Sequence, residues 1–152
     1  MNINDLWNLD AGFAYSVNDM SIACMLNYIE KEDFVLSEYE EKEIPLEATI
    51  YKVIKGIPIN IVSTASHING KTQWNIVKGS GELRNIIKWI QGEVSITIHG
   101  KNIIFENLDE KSQKFLLNTR RPLISTIIDS RDGFDKGILS AKDLMEIVHI
   151  FS

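Results

Sequence analysis

Apolar residues recur along this chain with two periods, and each period names elements. From Asp19 to Lys31, Ile22, Met25, Leu26 and Ile29 fall at the i, i+3, i+4, i+7 spacing of one buried helix face, with Ser16 or Asn18 as cap. Leu83, Ile86, Ile87 and Ile90 repeat that stripe in a helix over Glu82–Gln91, which Ser80 caps and Gly92 stops. Asp109 caps a short helix reaching Asn118 that buries Phe115 and Leu116. The last helix has the fullest set of signals. Ser140 and Asp143 make a capping box, Leu139 and Leu144 stand at staple positions, and Leu144, Ile147, Val148 and Phe151 form its stripe.

The other period is two. Glu93–Asn107 reads as a hairpin around Gly100-Lys101, pairing Ile98 with Ile103 and Ile96 with Phe105, so that Val94, Ile96, Ile98, Ile103 and Phe105 share one covered face. A second hairpin joins Ile59–Ile68 to Lys71–Lys78 through Asn69-Gly70, setting Ala65 opposite Trp74, Val62 opposite Val77 and His67 opposite Thr72. Thr49–Lys55, rich in β-branched residues, is expected to be a strand. Leu123–Ile128 is a largely apolar run, and its length does not decide between helix and strand. Near the N-terminus Leu6, Trp7, Leu9, Phe13 and Tyr15 lack a period, and predict a short helix or arm whose aromatics pack on the body.

Together these elements predict a single α+β domain spanning 1–152. Its mainly antiparallel sheet of about five strands, drawn from Thr49–Asn107, is packed by N-terminal, middle and C-terminal helices. A chain of 152 residues is long enough to bury such a core. The opening MNINDLWNLD has no basic n-region, and no apolar run reaches the roughly 20 residues of a membrane span, so a cytoplasmic protein is expected. The one cysteine, Cys24, fits a reducing compartment and is expected to be a buried structural thiol. Abundant Ile, Asn and Lys with scarce Arg suggest an AT-rich bacterial, phage or viral genome.

Charge changes the picture further. Through Glu47 there are eleven acids against two lysines, a balance of −9, while the remainder carries fourteen bases against ten acids, a balance of +4. Eight of the acids lie between Glu30 and Glu47. Such polarity steers a basic partner and disfavours nucleic acid.

Chemical motifs are sparse. Asp132–Asp143 partly resembles a calcium loop, but Phe134 and Lys136 stand where oxygen ligands belong, so it reads as a turn leading into a capped helix. Gly79-Ser80-Gly81 lacks the longer phosphate-loop pattern. His67, His99 and His149 are far apart, with no zinc-ligand spacing. No catalytic residue, metal or cofactor is assigned. The leading expectation is a small acidic binding protein, an immunity protein or inhibitor of a basic toxin or nuclease, meeting its partner through Glu38, Tyr39, Glu40, Glu41, Glu43 and Trp89. One alternative is an enzyme or small-ligand protein with a pocket between sheet and helices, using groups such as His67, His99, Arg120 and Arg121, with Arg84 and Arg131 as further phosphate-binding candidates. Another is a homo-oligomeric subunit.

Overall fold

A computed structural model describes residues 1–38, 44–68 and 70–152, with backbone alone described at 67 and 68. In chain order the elements are α1 (Ile3–Trp7), β1 (Ala14–Met20), α2 (Ile22–Glu30), β2 (Phe34–Leu36), α3 (Leu46–Lys55), β3 (Ile59–Ile68), β4 (Lys71–Lys78), α4 (Ser80–Ile90), β5 (Ile96–Ile98), β6 (Lys101–Ile103), a 3₁₀ turn at Phe105–Asn107, α5 (Glu110–Lys114), a π turn at Phe115–Thr119, β7 (Leu123–Asp129), α6 (Arg131–Asp135) and α7 (Ala141–Ile150). The fold is α+β. Its five-stranded sheet runs β1-β7-β3-β4-β2 and is mixed: β1/β7 and β3/β4 are antiparallel, whereas β3/β7 and β4/β2 are parallel.

Side chains alternate across a strand, so Ile61 and Val62 point to opposite faces of β3 and seed two cores. On the Ile61 side, Ile59, Ile76 and Leu123 pack under Ile22 and Met25 of α2, Ile50 and Val53 of α3, and Leu83, Ile86 and Trp89 of α4. On the other, Val62 and Ile128 pack under Ile147 of α7, ringed by Phe13, Leu139, Leu144, Val148 and Phe151. The capping box of α7 forms as read, with Asp143 N–H donating to Ser140 Oγ at 3.2 Å and Ser140 N–H to Asp143 Oδ2 at 2.8 Å. Lys136, inside the calcium-like stretch, instead pairs with Asp132 at 3.0 Å and Asp10 at 3.4 Å.

Several elements differ from expectation. Thr49–Lys55 is helical, within α3, because Leu46, Thr49, Ile50 and Val53 also satisfy the helical stripe. Burying Ile50 and Val53 contributes about 1.5–3 kcal/mol each, which outweighs a β-branched helix penalty of at most about 0.7 kcal/mol per residue. Leu123–Asp129 is a strand in the sheet interior, between β1 and β3. The Asn69-Gly70 hairpin keeps Ala65 opposite Trp74, but a bulge between Val62 and Ser63 moves Val62 from Val77 to Lys78.

The 96–103 hairpin forms a separate two-stranded sheet whose turn lies one residue earlier than expected, at His99-Gly100. Both turn residues have positive φ, 51° and 77°, as a type I′ turn requires, so Ile96 pairs with Ile103 instead of Phe105. This slides one strand by two residues, which preserves the faces. Phe105 leaves the strand and reaches the same core through the 3₁₀ turn.

The remaining corrections concern burial and capping. Trp7 and Tyr15 are exposed, Cys24 lies off the α2 stripe in solvent, and Phe115 is exposed while Leu116 is buried. Ser21, not Ser16 or Asn18, caps α2, and Ser80 sits inside α4 with Gly79 at the cap position.

Candidate functional site

Of the residues nominated for partner binding, Glu38 is exposed two positions beyond β2, and Tyr39, Glu40, Glu41 and Glu43 lie outside the described residues. Both ends of this acidic stretch are held by α4. On one side Ser37 N–H donates to Ser80 Oγ at 2.9 Å, Ser80 Oγ donates to Ile76 O at 3.1 Å, and the Arg84 guanidinium donates to Ser37 O. On the other, Asn85 Nδ2 donates to Ile44 O at 3.0 Å and to Thr49 Oγ1 at 3.1 Å.

Trp89 does not belong to this surface. It is 1% exposed, packs against Phe105 and donates through Nε1 to Ile103 O at 3.3 Å. With Leu83 and Ile86 it extends the buried face of α4, so it is a core residue and not the partner-contact residue expected.

The arginines do not form a common anion site. Arg120 donates to the carbonyls of Val53 and Ile54 at the C-terminal end of α3 and stacks over Phe115 at 4.9 Å. Arg131 grips Asp129 through Nε at 2.9 Å and Nη2 at 2.7 Å, and donates through Nη1 to Thr72 Oγ1 at 3.0 Å. Those hydrogen bonds hold the Asp129 carboxyl below the usual carboxylate range, against a smaller upward push from burial. Arg120 and Arg131 stand beyond opposite ends of β7, separated by seven residues of strand, roughly 23 Å. Arg121 is exposed, and His99 meets Tyr51 edge-on at 6.4 Å. Among the described residues no cluster of three His, Cys, Asp or Glu is arranged to hold a metal, and no helix is long and apolar enough to cross a membrane.

Two features escaped the sequence reading. The first is the exposure of α1: the short helix expected as one option forms behind an Asn2–Asp5 capping box, but its apolar stripe of Ile3, Leu6 and Trp7 faces solvent instead of packing on the body, Trp7 at 86% exposure. Five residues are too few for their spacing to say which side of the helix is covered.

The second is a depression of about 320 Å³ on the sheet face beside α2, lined by Asn18, Met20, Tyr28, Asp33, Phe34, Thr72, Trp74, Ser125 and Ile127. Strand pairing assembles it: Asn18 lies opposite Ser125, and Phe34 opposite Trp74. Its α2 side is set by the end of the helix, where Glu32 adopts φ 63° and lets Glu32 N–H bond Ile29 O at 3.0 Å and Asp33 N–H bond Tyr28 O at 2.9 Å. Asp33 O then accepts from Trp74 N–H at 2.9 Å, and its carboxylate meets Lys71 at 3.2 Å. The Ser125 hydroxyl, in a residue 2% exposed, has no hydrogen-bond partner, nor has that of Ser63 on the same sheet face.

A scan of family models and searches of curated proteins and of solved structures returned no match.

Proposed function

We propose that this chain is a small acidic binding protein of the cytoplasm that acts through a protein–protein interface on a basic partner, in the manner of an immunity protein or an inhibitor of a basic toxin or nuclease. One observation carries the reading: the acidic stretch is anchored at Ser37 and at Ile44, both by side chains of α4. A charged segment with fixed ends loses less freedom on docking than a free tail, and its field raises the encounter rate with a positive surface. An exposed Cys24 thiol is compatible with a reducing compartment.

The test is kinetic. A partner captured from the native host is bound to wild type and to a variant carrying Glu38→Gln, Glu40→Gln, Glu41→Gln and Glu43→Gln, each at low and at high salt. The expected outcome is a slower on-rate for the variant and a flatter salt dependence, with folding retained. An unchanged on-rate and salt slope would remove the acidic stretch from recognition.

A further inference from the structure

We propose that the depression between α2 and the sheet is a binding site for a neutral, flat heteroaromatic molecule that carries both a carbonyl and an N–H, the chemistry of a nucleobase or a lactam ring. The site is independent of the acidic stretch. Its volume, about 320 Å³, lies at the small end of ligand pockets, which excludes a folded segment and suits a single ring system.

The lining selects the chemistry. Tyr28, Phe34 and Trp74 supply aromatic surface, with the Tyr28 and Phe34 rings 5.6 Å apart, and Met20 and Ile127 supply further apolar surface. Flat ligands gain most from such walls. An anion is disfavoured because the lining contributes a carboxylate and no cation, and Lys71 and Arg131 nearby are engaged by Asp33 and Asp129. A cation is disfavoured because Lys71 already neutralises Asp33.

The polar groups select the edge pattern. Thr72 Oγ1 accepts from Arg131, which leaves its hydroxyl proton to donate to a ligand carbonyl. Asp33 Oδ2 remains an acceptor for a ligand N–H, since the Lys71 contact is to Oδ1. Asn18 at the rim offers one donor and one acceptor group. At the floor the buried Ser125 hydroxyl is unpaired, an arrangement that costs stability unless something occupies the site.

Uracil and hypoxanthine, each with a ring carbonyl beside an N–H, are the probes, with indole as a flat control that has an N–H and no carbonyl, each titrated into the ¹⁵N-labelled full chain. Expected are shifts at the Trp74 indole N–H and the Asn18, Thr72 and Ser125 amides, with at least one nucleobase binding about tenfold or more tighter than indole, the worth of one well-made polar contact. Ser125→Ala is expected to weaken that binding about threefold to tenfold while raising the melting temperature of the free protein, because it deletes an unsatisfied buried hydroxyl. Asn18→Ala, on an exposed rim residue, gives a second variant that retains the fold and is expected to weaken binding similarly. No shift with any probe at millimolar concentration would overturn the proposal. Equal affinity for indole would too, as would shifts mapping elsewhere or both variants binding like wild type.

Discussion

The indole of Trp89 stands edge-on to the ring of Phe105, centroids 5.1 Å apart at 69°, while its Nε1 donates to the carbonyl of Ile103. That pair joins α4 to the small hairpin, which places its strands over the helical core instead of in the main sheet. Trp89→Ala is expected to destabilise by about 3–5 kcal/mol, as is Phe105→Ala, and Ile96→Ala by about 2–5 kcal/mol, from the cavities left. Urea unfolding followed by circular dichroism checks all three. A loss under 1 kcal/mol for Trp89→Ala would contradict its burial.

The hairpin turn makes a sharper demand on one side chain. His99 sits at φ 51°, where a β-branched residue is strained, so His99→Val is expected to cost roughly 1–2 kcal/mol. His99→Asn, the residue a type I′ turn favours, should be at least as stable as wild type. Comparing their denaturation midpoints distinguishes this turn from one centred on Gly100-Lys101, in which His99 would be an ordinary strand residue tolerant of valine.

Glu32 carries the same kind of strain beside the depression, at φ 63°. Glycine there avoids a left-handed cost of about 1–2 kcal/mol and loses about 0.5–1 kcal/mol in chain entropy. Glu32→Gly is therefore expected to raise stability by roughly 0.5–1 kcal/mol, measured by thermal or urea unfolding. A destabilised variant would show that the Glu32 side chain has a role of its own.

Asp129 gives a pH signature. Its carboxyl is held below the ordinary value, chiefly by hydrogen bonds from Arg131, so its contribution is present above the unfolded-state pKa of about 3.9 and lost as pH falls through the lower folded value. Asp129→Asn is expected to be less stable than wild type at pH 7 and to converge on it at the acid end. Urea midpoints at pH 7, 5, 4 and 3 test this, and parallel curves at all four would refute the linkage.

Trp7 offers a surface counterpart to Trp89. At 86% exposure its replacement by alanine should leave the unfolding midpoint within about 0.5 kcal/mol of wild type. Urea unfolding followed by circular dichroism checks this, and a loss above about 1 kcal/mol would contradict the exposure of the side chain.

What the chain determined by itself was local. The capping box at Ser140 and Asp143, the stripes of α2, α4 and α7, the Asn69-Gly70 hairpin and the stop at Gly92 each depend on residues within one or two turns of one another, and these elements formed where read. The acidic balance was equally plain, since it needs only counting. Tertiary structure decided whatever depended on partners far along the chain. Thr49–Lys55 combined β-branched content with a helical stripe, and only the room beside α4 made it a helix. Leu123–Asp129 became an interior strand because β1 and β3 flank it, and Trp89 became core because Phe105 and Ile103 arrive from the hairpin. The depression is the extreme case: Asn18, Thr72 and Ser125 share no spacing, and only the pairing of β1, β7, β3 and β4 sets them around one space. Periodicity reports which side of an element is apolar, whereas burial and convergence depend on what the rest of the chain places against that side.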